Sequence, residues 1–345
     1  MIIPQGVSSK VKDKTNEYIL DVENLVVRYE TEDGVVNALN GFDLKLKSKQ
    51  TIGLVGETGA GKTTAALAIL RLIPDPPGVV ECSKLMLDGR DILGLPNLKM
   101  DEVRGKDMSM IFQDPMTSLN PVFTVGEQIA ESLEIHEGLS QKEAMEKAKE
   151  MLELVGIPKE RYNEYPHQFS GGMKQRVVIA VALACNPRLL IADEPTTALD
   201  VTIQAQVLEL MNDLKMKYDT SIIMITHDLG IVAEVCDDVM VMYAGRIVEQ
   251  GTLEDVFNRT MHPYTEGLFN SLPNIRNRQR MLKPIQGLMP DPMDLPPGCS
   301  FASRCNYAGE DCLKAVPELR TVSDTHKVRC VAYDRPGFQI ERGRS

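Results

Sequence analysis

Long apolar runs are missing from this chain: every hydrophobic stretch is interrupted well before the roughly 20 residues that a bilayer-spanning helix needs. A translocation pathway made of this chain alone is thereby excluded. Basic residues are also scarce, 38 Lys and Arg against 49 Asp and Glu, for a net charge of −11. Binding along a phosphate backbone requires clustered Lys and Arg, so a broad nucleic-acid surface is excluded as well. No signal-peptide pattern is expected before the first strand, and there is neither an internal repeat nor a low-complexity tract. What is present is apolar material, 43% of 345 residues, enough for a sizeable core and about two domains.

The chemistry is concentrated in a few short segments. Gly56-Glu57-Thr58-Gly59-Ala60-Gly61-Lys62-Thr63 fits the phosphate-cradling pattern G-x-x-x-x-G-K-[ST]. Its context is right: Thr51–Val55 is a short apolar run suited to a buried strand, and residues 64–72 read as a helix. Glycines 56, 59 and 61 permit a tight loop whose N–H groups point at phosphate oxygens, with the helix N-terminus adding a favourable field. Lys62 would reach the β- and γ-phosphates, and the Thr63 hydroxyl, next to Thr64, would meet Mg²⁺. A second apolar strand, residues 189–192, ends at Asp193 and Glu194, where parallel sheets place ligand-binding groups. Asp193 would hold the Mg²⁺ shell and Glu194 would polarise an attacking water. A third strand over 221–225 delivers His227, placed to contact the γ-phosphate or orient that water, and a fourth over 108–112 delivers Gln113, whose amide can serve metal and water alike. Together with Phe169-Ser170-Gly171-Gly172-Met173-Lys174-Gln175, these segments imply an ATPase that closes its site across a dimer.

The ordered set resembles the nucleotide-binding subunit of an ATP-binding-cassette (ABC) transporter over roughly residues 18–275. The resemblance implies an α/β fold of the P-loop NTPase class: a parallel sheet core, an antiparallel edge subdomain and an inserted helical subdomain at about 115–180. It also implies ATP and Mg²⁺ as ligands, held by Glu57, Thr58, Gly59, Ala60, Gly61, Lys62, Thr63 and Thr64. Ser170, Gly171 and Gly172 would contact the γ-phosphate held by the partner's Lys loop, Asp200 would lie on the loop crossing the dimer interface, and Tyr29 would stack on adenine. Phe169 and Met173 replace commoner family residues but leave the Ser-Gly-Gly core intact. Asp114 to Pro121, Met261-His262-Pro263-Tyr264-Thr265, Leu295-Pro296-Pro297-Gly298-Cys299 and Arg304-Cys305 are similar to the dipeptide and oligopeptide importer branch. That branch implies a peripheral subunit on the cytoplasmic face of the membrane, two transmembrane permease subunits, a second and different ATPase, and an extracellular solute-binding protein acting indirectly. A soluble ABC ATPase acting on DNA or ribosomes is the alternative; it would be expected to carry a second cassette, a long coiled coil or a basic tail, and none is present.

Along the chain, residues 1–17 read as a loose N-terminal arm. Residues 18–29 and 35–46 alternate around Thr31-Glu32-Asp33-Gly34, a hairpin signal. Helical periodicity covers 126–137 and 141–155 in the inserted lobe, and further helices are expected over 201–217, 229–235 and 253–272, with a strand over 239–243. The lobe would offer the groove for a short helix of the membrane subunit. Beyond 275, Pro284, Pro290, Pro292, Pro296 and Pro297 crowd into a short interval that marks a stretch without regular structure, a linker or small appended module within the extension 276–345. Its Cys299, Cys305, Cys312 and Cys330 are spaced C-x5-C-x6-C-x17-C, whereas Cys82, Cys185 and Cys236 stand singly and read as structural thiols. Four readings stand for the spaced set: a cluster, zinc, disulfides or free thiols. A reducing compartment opposes disulfides and the wide gaps suit zinc poorly. The resemblance implies a [4Fe–4S] cluster, with zinc or no metal as alternatives.

Overall fold

The computed structural model describes residues 17–197, 199–271 and 284–341. Except for Glu17, the expected N-terminal arm lies outside these residues, as does the expected boundary near 275. Two sheets organise the described residues. In the first, β1 (Tyr18–Thr31) and β2 (Gly34–Lys47) form the expected hairpin, paired from Thr31 opposite Gly34 back to Tyr18 opposite Lys47 with several bulge-like register shifts between. After β3 (Thr51–Val55) leaves for the second sheet, β4 (Gly78–Glu81) and β5 (Lys84–Leu87) pair with β1, and β6 (Arg90–Asp91) pairs with β5. The second sheet adds β7 (Met108–Ile111), β8 (Leu189–Asp193), β9 (Ser221–Thr226), β10 (Asp238–Tyr243), β11 (Arg246–Thr252), β12 (Arg320–Thr321) and β13 (Lys327–Val328), in the order β12-β13-β11-β10-β3-β9-β8-β7. The run β10-β3-β9-β8-β7 is parallel and the remaining pairs are antiparallel.

The helices are α1 (Lys62–Ile69), α2 (Asn97–Val103), α3 (Pro115–Ser118), α4 (Val125–Glu137), α5 (Gln141–Leu154), α6 (Gly171–Leu183), α7 (Val201–Tyr218), α8 (Leu229–Val235), α9 (Leu253–Asn258) and α10 (Pro263–Asn270). They cover the parallel strands, which is why those strands are continuous apolar runs and not alternating ones. Successive residues of a strand face opposite sides. Leu190, Ala192 and Met224 accordingly join a core with Val177 of α6, Val207 of α7 and Val232 of α8. Leu54, Ile191 and Ile225 join a second core with Ala65 and Ile69 of α1 and with Leu20 and Phe42 of the antiparallel sheet.

The inserted lobe is built on α4 and α5, each opened by a reciprocal cap, Thr124 with Glu127 and Ser140 with Glu143. The helix expected over 253–272 is instead two, α9 and α10. Pro263 lacks an N–H and so starts a helix rather than continuing one, and the His262 side chain caps it by accepting from the Tyr264 N–H at 3.1 Å. Residues 284–301 contain neither helix nor strand, as the prolines predict. The extension then rejoins the core sheet, β13 pairing with β11 through Glu249 opposite Val328.

Candidate nucleotide site

Chain direction brings the site together. Because β3, β7, β8 and β9 run parallel, their C-terminal ends open on the same edge of the sheet, and each carries one of the expected groups. The turn after β3 is as tight as the glycine spacing implies: a Cβ on Gly56 would stand 2.3 Å from the Met242 carbonyl oxygen, and Gly61 has φ 104°. Lys62 is buried, its ammonium donating to the carbonyls of Gly56 at 2.7 Å and Glu57 at 3.0 Å. Burial pushes its pKa down, while the nearby Glu194, Asp193 and Glu57 carboxylates oppose that shift. The Thr63 hydroxyl donates to Asp193 Oδ2 at 2.7 Å, so the two groups expected to share a metal are already neighbours. Their oxygens are the hard donors that Mg²⁺ takes. Burial raises the pKa of Asp193 and the Thr63 hydrogen bond holds it back.

Glu194 is the most constrained residue of the site. Its backbone sits in the left-handed region at φ 48°, uncommon for a residue with a side chain. Three neighbours converge on its carboxylate: Gln113 Nε2 donates to Oε2 at 2.9 Å, Thr197 Oγ1 donates to Oε2 at 2.9 Å, and His227 Nδ1 lies 3.0 Å from Oε1. Burial would raise its pKa, but the hydrogen bonds from His227, Thr197 and Gln113 outweigh it and hold the carboxyl below the usual range. The group is therefore an ionised carboxylate at neutral pH, as an acceptor of a water proton must be. Thr197 was not singled out from the sequence, although it follows Glu194 by one turn.

Thr58, Gly59, Gly61, Lys62, Thr63, Thr64, Gln113 and Glu194 border one cavity of about 230 Å³. Ala60 is buried beneath the loop. Tyr29 does not line this cavity; it lies half-buried directly across the strand pair from Val36, which does. Ser170 and Gly171 are exposed at the start of α6 and do not line it either, and Asp200 caps α7 by accepting from the Ile203 N–H at 3.0 Å. The wall also includes Asn37, Ala38, Ala244 and Gly245 and, with no sign of it in the sequence, Met289, Pro290, Pro292 and Leu295 of the extension.

In the extension, Cys299, Cys305, Cys312 and Cys330 line a second cavity of about 10 Å³, room for about one water. Burial raises the Cys299 thiol and pushes Cys305 up to about 11 and Cys330 up to about 12. None of the four forms a disulfide. Among the described residues, no group of three or more His, Cys, Asp or Glu stands as a set that could hold a metal ion. The four cysteines expected to hold a metal thus surround one small space without forming a recognisable ligand set among the described residues.

Comparison with known proteins decides the family. A family described as ABC transporter matches residues 39–197, and one described as the C-terminal region of oligopeptide/dipeptide transporters matches residues 248–312. The oligopeptide transport ATP-binding protein OppD of Bacillus subtilis (strain 168) is 52% identical over 314 residues, covering 90% of this chain and 88% of that protein. The chain belongs to this family. The dipeptide transport ATP-binding protein DppD of the same organism is 48% identical over 321 residues, covering 92% of this chain and 96% of its own length. Among solved structures, the dimeric post-hydrolysis state of the ATP-binding cassette MJ0796 bound to ADP and Pi aligns with TM-score 0.61 at 25% identity, covering 68% of this chain and 98% of that one. The fold is thus the ABC cassette, and this member of the peptide-importer branch is an ATPase that powers peptide uptake. A DNA- or ribosome-directed ATPase is not favoured. Among the described residues no helix is long and apolar enough to cross a membrane.

Proposed function

We propose that this chain binds MgATP in the 230 Å³ cavity and hydrolyses it in a closed dimer, peripherally bound on the cytoplasmic face to two transmembrane permease subunits. The partner ATPase is a second, different chain, and an extracellular solute-binding protein supplies a dipeptide, oligopeptide or related solute. One observation carries the reading: Lys62, Thr63, Asp193, Glu194, Gln113 and His227 meet at the ends of adjacent parallel strands, within hydrogen-bonding distance of one another or of the phosphate loop. Lys62 leaves the Gly56 and Glu57 carbonyls for phosphate oxygens; Thr63 and Asp193 would hold Mg²⁺, which neutralises phosphate charge when bound. Glu194 takes the proton of the attacking water, while Gln113 and His227 fix its carboxylate. Ser170, Gly171 and Gly172, turned away from this cavity, serve the partner's nucleotide, Asp200 lies at the shared interface, and Tyr29 flanks the base beyond Val36. Titration of the full-length chain with ATP tests the site: Lys62→Ala should lose most of the affinity, and an unchanged affinity overturns the assignment.

For the extension, the finer reading of a [4Fe–4S] cluster is supported by four thiols facing one cavity and opposed by the room for only about one water. Anaerobically purified protein that is brown, with about four irons per chain, establishes the cluster. Colourless, metal-free protein removes it.

A further inference from the structure

The chain beyond Pro284 enters the nucleotide cavity itself. Met289, Pro290, Pro292 and Leu295 line it together with Thr58, Lys62 and Thr63. The strip is tied down at the first sheet, where the Asn37 N–H and side-chain amide both donate to the Pro292 carbonyl, at 2.9 and 3.1 Å. It also touches the phosphate loop, since a Cβ on Gly59 would stand 3.0 Å from Met289 Cε. Further along, the Arg304 side chain, only 5% exposed, closes on the same loop. Its Nη1 and Nη2 donate to the two carboxylate oxygens of Glu57 at 2.9 and 3.2 Å, Nη1 also reaches the Tyr243 hydroxyl at 3.3 Å, and Nε donates to the Gln286 carbonyl at 3.0 Å.

Glu57 is consequently held at three points. Arg304 grips its carboxylate, its N–H donates to the Tyr264 hydroxyl at 2.8 Å, and its carbonyl accepts from Lys62 Nζ at 3.0 Å. A shift of Glu57 is therefore a shift of the resting contact of Lys62 and of the loop N–H groups that follow. A planar guanidinium engaging both carboxylate oxygens fixes orientation as well as distance, which a lysine cannot do. Both Arg304 and Tyr264 belong to segments C-terminal to the last parallel strand, not to the nucleotide-binding motifs.

We infer that Arg304 is a positioning residue of the nucleotide site: acting through Glu57, it holds the phosphate loop in the shape that receives a nucleoside triphosphate, while residues 289–295 wall the cavity in cis. The inference rests on the reading of this cavity as the MgATP site. An arginine that only pinned the extension would lower thermal stability and leave nucleotide affinity alone; a positioning arginine changes affinity in protein that is fully folded.

The test is ATP and ADP titration of the full-length chain as parent, Arg304→Lys, Glu57→Gln, the double variant and Lys62→Ala, each first checked for a cooperative unfolding transition. Arg304→Lys and Glu57→Gln should each weaken affinity by roughly 2- to 30-fold, and in the assembled transporter the KM for ATP should rise by a similar factor with kcat nearly unchanged. The double variant should be no weaker than the worse single, because both changes remove one contact. Parent-like affinity in the folded single variants overturns the inference, and so does a double variant whose losses simply add. If Arg304→Lys fails to fold, Glu57→Gln alone decides. Should Lys62→Ala also bind like the parent, the failure belongs to the assignment of the cavity and not to Arg304 alone.

Discussion

Glu194 combines a left-handed backbone with a carboxylate gripped by Gln113, Thr197 and His227. Glu194→Gln preserves the shape of that arrangement and removes the negative charge. It should retain ATP binding and lose turnover by about two to four orders of magnitude, the range for loss of a general base. Phosphate-release kinetics beside a binding titration check it, and parent-like turnover would reject Glu194 as the base. A second residue-scale prediction concerns Cys236, which is 5% exposed and whose thiol burial pushes up to about 12. A raised pKa means less thiolate, the reactive form, so Cys236 should stay unmodified by iodoacetamide at pH 8 until urea unfolds the chain. Mass spectrometry of the peptide reads this, and rapid labelling of native protein would contradict it. The motif residues were legible in the sequence because each motif is contiguous and its chemistry is local. Arg304 was not, because its partner Glu57 lies 247 residues away and nothing in either residue's neighbourhood records the other.

At the scale of elements, the start of α6 carries two glycines with different surroundings. A Cβ on Gly171 would meet nothing within 4 Å, whereas one on Gly172 would stand 2.5 Å from Ile203 Cγ2 on α7. Gly171→Ala should leave the isolated chain as stable as the parent but reduce ATPase activity of the assembled transporter, since only the partner's nucleotide remains for it to disturb. Gly172→Ala should destabilise the chain itself by about 1–3 kcal/mol, the usual cost of overpacking against a stiff branched side chain. Denaturant titrations of both variants beside activity of the full complex separate the two, and equal stability losses would refute the contrast. The parallel strands were readable from sequence because each is a short, mostly apolar run of four to six residues, wholly buried in β3, β8 and β9 and partly buried in β7. The two-residue strands β6, β12 and β13 were not, because two residues hold no period; their pairing is imposed by neighbours already in place. The break between α9 and α10 was signalled by Pro263, but the surrounding periodicity outweighed it.

For the whole molecule, Ser170 and Gly171 are exposed and do not line the Lys62 cavity, so in the proposed closed dimer one chain would offer two unmatched halves of a site. The chain should therefore behave as a weak monomer alone and co-purify from its native membrane with two permease subunits and a second ATPase. Recovery only as a homodimer free of membrane proteins would refute that assembly. The long-range clasp between Glu57 and Arg304 has a consequence in time. Ribosomes add roughly 5–20 residues per second, so about 12 to 50 s of synthesis separate the emergence of the two partners, 247 residues apart. During that interval the phosphate loop exists without its clasp. If the clasp positions the loop as inferred, a nascent cassette should bind nucleotide more weakly, by the same factor expected of the Arg304 variant, until residue 304 has been made.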